Sequence, residues 1–221
     1  MSTPQTDVSA LRIERRRTQE AAPGAVDALR AHFDRHHWVR LPGFLGGQLL
    51  DDVQRAIAAA TFVEIRHTHV TPPSIDVCME PNSLSAMLEL LCNDASLLRS
   101  VEALTGCAPL SRFSGFVYRM VPGAGHHHNW HDDVLQQRRV AMSVNLERDP
   151  YEGGVLQIRD RRSEQVLAEV PNVGRGDAVL FRIDPALQHR VMPVSAGVKT
   201  AFAGWFRGEA PLLAALRAGR A

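Results

Sequence analysis

A mainly β chain with flanking helices is the fold class this sequence predicts, and three observations predict it. From residue 110 onward, short β-patterned runs alternate with Gly, Pro and Asp punctuation, at the spacing of a sandwich or jelly roll rather than of βαβ units. Before residue 110 the apolar residues recur at helical intervals. The length of 221 residues, with 45% hydrophobic and 22% charged residues, fits one ordinary globular domain with some embellishment.

Residues 1–22 are polar and charged without apolar periodicity, which predicts a flexible N-terminal arm ahead of a single domain over 23–221. Pro23 opens a helix that carries Val26, Leu29, Ala31 and Phe33 and stops near His36. Trp38–Leu41 reads as a short strand ended by Pro42-Gly43. A second helix is expected from Gln48 to Ala60, with Leu49, Leu50, Val53 and Ile57 on its apolar face. Asn82 and Asp94 are the expected N-caps of helices Ser83–Leu91 and Ala95–Leu104, the latter closed by Gly106. The expected strands are Leu110–Val121, Arg139–Leu146, Val155–Arg159, Gln165–Val170, Ala178–Ile183, His189–Val194 and Lys199–Phe206. A last helix, Ala210–Leu216, ends the chain. The organisation is therefore a helical buttress over about 23–107, a β core over about 108–207 and a C-terminal helix over about 209–218.

Composition narrows the function classes. Twenty-five Lys+Arg against 24 Asp+Glu leave a net charge of +1, which gives no basic face for gripping phosphates, so no nucleic-acid partner is expected. No apolar run approaches the roughly 18 residues of a membrane span, and no apolar core follows the charges of the N-terminus, so neither a membrane partner nor a signal peptide is expected and the compartment expected is the cytoplasm. Cys78, Cys92 and Cys107 lack CxxC pairing and read as buried thiols. Of the 25 basic residues, 24 are Arg, and Lys199 is the only Lys.

The densest chemical cluster is Gly125-His126-His127-His128-Asn129-Trp130-His131-Asp132-Asp133. His131 and Asp133 form an H-x-D pair, and on an extended segment residues two apart leave the same face, so one ion can take both. One further His follows, His189, 58 residues on. Two His and one carboxylate on one face of a metal leave the remaining positions open, as in non-haem Fe(II) oxygenases. Asp132 points to the other face and is excluded as a ligand. His126, His127 and His128 are expected in the loop entering the H-x-D strand, facing solvent, with contact to substrate as the other reading. Arg138-Arg139 and Arg159 to Arg162 read as charge runs on solvated faces. In Arg139–Leu146, Val140, Met142, Val144 and Leu146 alternate with Arg139, Ala141, Ser143 and Asn145. If the apolar set packs between sheets, Ser143 and Asn145 face the barrel interior as polar groups of the pocket; the other reading turns them to water.

Further motifs surround this triad. Gly153-Gly154, Pro171 with Gly174, Gly176-Asp177-Ala178, then His189, Pro193-Val194 and Lys199 ten residues after His189 fall in one order. In these the chain resembles the Fe(II)/2-oxoglutarate-dependent oxygenases, in particular the branch similar to prolyl 4-hydroxylases, over roughly residues 110–206. The resemblance implies a double-stranded β-helix, a cupin-like jelly roll, with the N-terminal helices packed on one sheet. It implies Fe(II) held by His131, Asp133 and His189, and 2-oxoglutarate and O₂ as cosubstrates. It further implies hydroxylation of an unactivated C–H bond of a small metabolite, amino acid or peptidyl residue, with release of succinate and CO₂. A dicarboxylate chelated by its keto-acid end leaves its far carboxylate pointing inward, where burial without a cation is costly, and Lys199 answers that need. Trp205, six positions on and on the same strand face, matches an aromatic of the cosubstrate pocket, with core packing as the other explanation. The Tyr of the family's Y-x-x-G element is replaced by Met120-Val121-Pro122-Gly123, and Tyr118 on the same face is the candidate to stand in for it, with ordinary packing as the other explanation. Residues 61–82, with Arg66, His67, His69 and Pro72-Pro73, and the histidine loop are expected to set specificity. The alternative function is a catalytically silent cupin-like metal-binding protein, which has no need of Lys199.

Overall fold

The structure, a computed structural model, describes residues 11–14, 17–19, 23–67, 74–123, 125, 128–171 and 174–209. In chain order its elements are β1 (Arg12–Glu14), β2 (Arg17–Gln19), α1 (Pro23–His36), β3 (Trp38–Leu41), α2 (Gly47–Ala58), β4 (Phe62–His67), β5 (Ser74–Met79), α3 (Ser83–Cys92) and α4 (Ala95–Thr105). The β region follows with β6 (Leu110–Met120), β7 (His128–His131), β8 (Arg138–Asn145), β9 (Glu152–Gly153), β10 (Leu156–Asp160), β11 (Val166–Val170), β12 (Ala178–Arg182), β13 (Leu187–Val191), β14 (Val194–Ala196) and β15 (Lys199–Gly208).

Local chemistry fixes the helix ends. The Asn82 side chain accepts from the backbone N–H groups of Leu84 and Ser85, while Ser85 Oγ accepts from Asn82 N–H, a reciprocal cap that satisfies donors the first turn of α3 leaves open. Asp94 accepts from Ser96 and Leu97 N–H at the start of α4. That helix ends where Gly106 takes the left-handed conformation at φ +59°, which costs glycine nothing.

The strands form two main antiparallel sheets, of order β3-β12-β8-β15-β6-β5-β4 and β11-β10-β13-β7. One face of the larger sheet packs on the helices: Val140, Met142, Val144, Phe202 and Phe206 join Phe33, Val53, Leu88 and Leu97 in one core. Burying each such side chain contributes roughly 1.5–3 kcal/mol. The opposite face meets the smaller sheet, where Ala141, Val179 and Phe181 contact Leu156, Ile158 and Leu187. The fold is thus mainly β, a jelly roll whose larger sheet is buttressed by helices. The apolar set of β8 packs against the helices rather than between the sheets. It is the alternate set, with Ser143 and Asn145, that faces the second sheet.

Other expectations are corrected by tertiary packing. The supposed flexible arm contributes to the core: Leu11 and Ile13 are buried, and Ile13 N–H donates to Phe44 O while Gly46 N–H donates to Ile13 O. The segment 61–82 holds the antiparallel pair β4 and β5 at the edge of the larger sheet, with Arg66 exposed. The expected strand His189–Val194 divides into β13 and β14, because Pro193 has no N–H to give a ladder. The expected helix Ala210–Leu216, His69, Pro72, Pro73, His126 and His127 lie outside the described residues. No helix among the described residues is long and apolar enough to cross a membrane.

Candidate metal centre

His131 and His189 are cross-strand partners on β7 and β13, at the edge of the smaller sheet. Their ring centroids are 4.2 Å apart. The ring of His131 is oriented from behind, since Nδ1–H donates to the carbonyl of Asn129 at 2.7 Å, which puts the ring's lone pair on Nε2, as a metal ligand requires. The edge of the His189 ring lies against Phe181, 4.8 Å between centroids.

Asp133 reaches the same point by a different route from the one its spacing suggested. The strand ends at His131, and Asp133 stands two residues beyond it in the left-handed region at φ +56°, a conformation that Asp tolerates better than most residues. Its Oδ2 comes 3.7 Å from His131 Nε2 and 3.4 Å from His189 Nε2. A first-row metal about 2.1 Å from each of two adjacent ligands sets them roughly 3 Å apart, so this donor set fits such an ion. Among the described residues these three are the group of His, Cys, Asp and Glu side chains so gathered, with all ligand atoms within 4.8 Å of one another. Asp132 is turned elsewhere, paired with Arg161.

The Asp133 carboxylate is held on both oxygens. Arg138 Nη1 donates to Oδ1 at 2.6 Å and Trp205 Nε1 donates to Oδ2 at 2.7 Å, while the Arg138 guanidinium lies over the Trp205 indole, 3.5 Å from its centroid. Arg138 is therefore no solvated surface charge: its side chain is 11% exposed. Arg159, from the other charge run, likewise stacks on Trp130. Burial works to raise the Asp133 carboxyl, but hydrogen bonds to and charge on His131 and His189 outweigh it and hold the group far below the usual carboxylate range. Replacing an outer partner of a metal ligand typically costs about 10–100-fold in metal affinity. Arg138→Ala is expected to weaken Co(II) binding by that order in a calorimetric titration, and an unchanged affinity would show that the carboxylate needs no such clamp.

Along β15, Lys199, Ala201, Ala203 and Trp205 share the inward face, so only two methyl groups stand between the Trp205 end and the Lys199 end. Ser143 and Asn145 of β8 flank Ala203 and Ala201 on one side, and Phe116 and Tyr118 of β6 flank them on the other. The sequence candidates Tyr118, Ser143 and Asn145 thus border this strip. Asn145 Oδ1 already accepts from Glu147 N–H at 3.1 Å. The Ser143 hydroxyl stands beside the Tyr118 phenol, and burial pushes that phenol well up, so it stays protonated.

Lys199 is 2% exposed. Its Nζ donates to the carbonyl of Gly154 at 2.7 Å, and no carboxylate lies within ion-pair distance of it among the described residues. Burial lowers its pKa to about 8. Gly154 is at φ +63°, and an added Cβ would stand 2.8 Å from Lys199 Cδ, so the Gly-Gly turn is shaped to let the carbonyl meet the ammonium.

The sequence model of the 2OG-Fe(II) oxygenase superfamily matches residues 115–207, the stretch that carries all three ligands, Trp205 and Lys199. Residues 115–207 belong to that superfamily. The oxygenase is accordingly a 2-oxoglutarate-dependent dioxygenase, with Fe(II) as its metal and 2-oxoglutarate and O₂ as cosubstrates, and His131, Asp133 and His189 are its candidate iron site. No curated protein matches the chain. Among solved structures it is similar to an oxidoreductase of the 2OG-Fe(II) oxygenase family from Burkholderia pseudomallei, with 16% identity, TM-score 0.63, and coverage of 84% of this chain and 92% of that one. A prolyl-4-hydroxylase from Pseudomonas putida is similar at 22% identity and TM-score 0.57, covering 84% and 100%. A Trichoplax adhaerens prolyl hydroxylase, in complex with a peptide fragment of a hypoxia inducible factor, is similar at 17% identity and TM-score 0.62, covering 83% and 89%. At these identities the likeness is one of fold.

Proposed function

We propose that the oxygenase hydroxylates an unactivated C–H bond of a small metabolite, amino acid or peptidyl residue, with 2-oxoglutarate lying along the strip between Trp205 and Lys199. The observation that carries this reading is the buried Lys199 ammonium, which among the described residues has one neutral acceptor and shares its strand face with the metal end of the site. An ammonium so placed is costly until an anion joins it. A silent metal binder gives no reason for it.

Fe(II), held by His131, Asp133 and His189, would supply the activation of O₂ coupled to conversion of 2-oxoglutarate to succinate and CO₂. The chain's own part is orientation, charge and dryness. Asn129 fixes the His131 tautomer, and Arg138 and Trp205 hold the Asp133 carboxylate in place. Lys199 pairs the far carboxylate of the cosubstrate, with the protonated Tyr118 phenol and the polar groups of Ser143 and Asn145 beside the strip. A substrate met in the cytoplasm belongs to this reading, as does the expectation that it is small or peptidyl rather than a nucleic acid.

The test is an anaerobic titration of the Fe(II)-loaded protein with 2-oxoglutarate, read by metal-to-ligand charge-transfer absorbance, followed by succinate formation on admitting air. Absence of the absorbance would end the proposal. Lys199 also sets a pH dependence. Its pKa is lowered in the free protein to about 8, and binding needs the ammonium, so affinity is expected to hold below that pH and to fall as pH rises through it, approaching tenfold per unit above. Lys199→Arg should remove the fall, because guanidinium keeps its charge. A dissociation constant that stays flat to pH 9.5 in the parent protein would contradict this.

A further inference from the structure

Beyond Trp205, three arginines stand side by side across neighbouring strands. Arg207 of β15 is the direct cross-strand partner of Arg112 on β6 and of Arg138 on β8. Like charges directly opposed destabilise a sheet, so such a row needs compensation. Little is present. Arg207 is only 9% exposed, and its Nε and that of Arg138 are buried with no hydrogen-bond partner among the described residues. The hydrogen bond that Arg207 does make, Nη1 to Gln136 Oε1 at 2.5 Å, goes to a neutral amide. Arg112 is exposed and has no ion pair among the described residues. Burial first, and then the charges of Arg138 and Arg112, depress the Arg207 pKa, with Asp133 opposing them. Asp133, which pairs with Arg138 of this row, is committed to the two histidines, Arg138 and Trp205.

Buried polar groups in native structures find partners, and two unpartnered guanidinium Nε–H groups beside a third cation call for an anion. We propose that Arg207 and Arg112, with the free edge of Arg138, bind an oxyanion group of the substrate, a carboxylate or a phosphate, and so place the rest of that molecule over the His131–Asp133–His189 centre. The face of β15 then holds two anions at its two ends, the cosubstrate's at Lys199 and the substrate's at Arg207. That the anchored molecule is what the site oxidises rests on the oxygenase reading; the binding of the anion does not. An internal peptidyl residue with an uncharged side chain has no group for this site, so the inference selects a free acid, an amino acid or a phosphate ester among the substrates left open above.

The experiment uses the Zn(II)- and 2-oxoglutarate-loaded protein with ¹⁵N-labelled tryptophan, observing the Trp205 indole N–H by NMR and assigning it with Trp205→Phe. The probes are N-acetylglycine for a carboxylate and inorganic phosphate for a phosphate. One of them is expected to shift that resonance saturably, with affinity at least tenfold weaker in Arg207→Gln and in Arg112→Gln; the second variant changes an exposed side chain and cannot be lost to misfolding. The tighter probe decides between the two oxyanions. The proposal is overturned if neither probe saturates, or if both variants titrate like the parent. Probe binding in a protein that shows no 2-oxoglutarate absorbance would keep the anion site and end the oxygenase reading. Absorbance without probe binding does the reverse.

Discussion

Lys199→Ala is expected to weaken 2-oxoglutarate binding roughly 30-fold to several thousand-fold, because truncating one partner of a buried charge pair costs on the order of 2–5 kcal/mol and each 1.4 kcal/mol is tenfold. The size follows from the surroundings of the ammonium. It is buried, and among the described residues its acceptor is the carbonyl of Gly154. Fe(II) affinity should stay as it is, since Lys199 is not a ligand. Lys199→Arg should recover part of the loss, and only part: Lys199 Cδ packs so close to Gly154 that a Cβ there would come within 2.8 Å, leaving little room for a guanidinium. Lys199→Met separates a functional cation from a structural one. Removing a buried charge without an anionic partner should leave the melting temperature of the cosubstrate-free protein unchanged or raise it while binding is lost. The anaerobic absorbance titration measures the first effects and calorimetry the last; an unchanged dissociation constant in Lys199→Ala would remove the residue from the cosubstrate site.

The parts of this molecule that local chemistry decides were legible in the sequence. Asn82 and Asp94 do cap their helices, Gly106 does close α4, and β6, β8, β10, β11, β12 and β15 lie where their β-patterned runs place strands. What could not be read depends on partners far away in the chain. Leu11 and Ile13 lie in a polar stretch and become core only because Phe44 and Gly46 offer their backbone groups. Ile75 and Val77 alternate with polar residues as a strand should, but the hairpin of β4 and β5 needs the edge of β6 to dock on. The two histidines of the candidate metal site are legible because their spacing in the chain places them on adjacent strands. Asp133 was found for a reason that is half right, since its left-handed backbone and not an extended face brings it to the histidines. The meeting of Arg138 and Arg207 is not legible in the sequence. Their meeting depends on an irregularity of register between Phe206 and Arg207, and no pattern within a single strand announces it.

Asp133→Ala is expected to abolish turnover and to remove iron binding, and the geometry of the carboxylate says why no near relative of Asp should serve. Oδ1 is taken by Arg138, while Oδ2 accepts from Trp205 and faces both histidine Nε2 atoms, so both oxygens have a task. Alanine leaves the Arg138 guanidinium and the Trp205 N–H without their acceptor, a cost of about 1–3 kcal/mol for each buried group left unsatisfied. The melting temperature should therefore fall although the cores are untouched. Asn keeps the shape but loses the charge, and its NH₂ must point either at Arg138 or at the metal position. Glu adds a methylene, which moves the carboxylate by more than the roughly 0.5 Å that a preorganised site tolerates, and the clamp of Arg138 and Trp205 would then hold it in the wrong place. His131→Ala and His189→Ala should also abolish turnover, but with a smaller thermal penalty, since neither leaves a guanidinium unpaired. Fe(II) titration, succinate release and thermal melting of the variants check these outcomes. Full activity in any of the alanine variants would take that residue out of the centre, and an active Asp133→Asn would show that the carboxylate's charge is not what the metal needs.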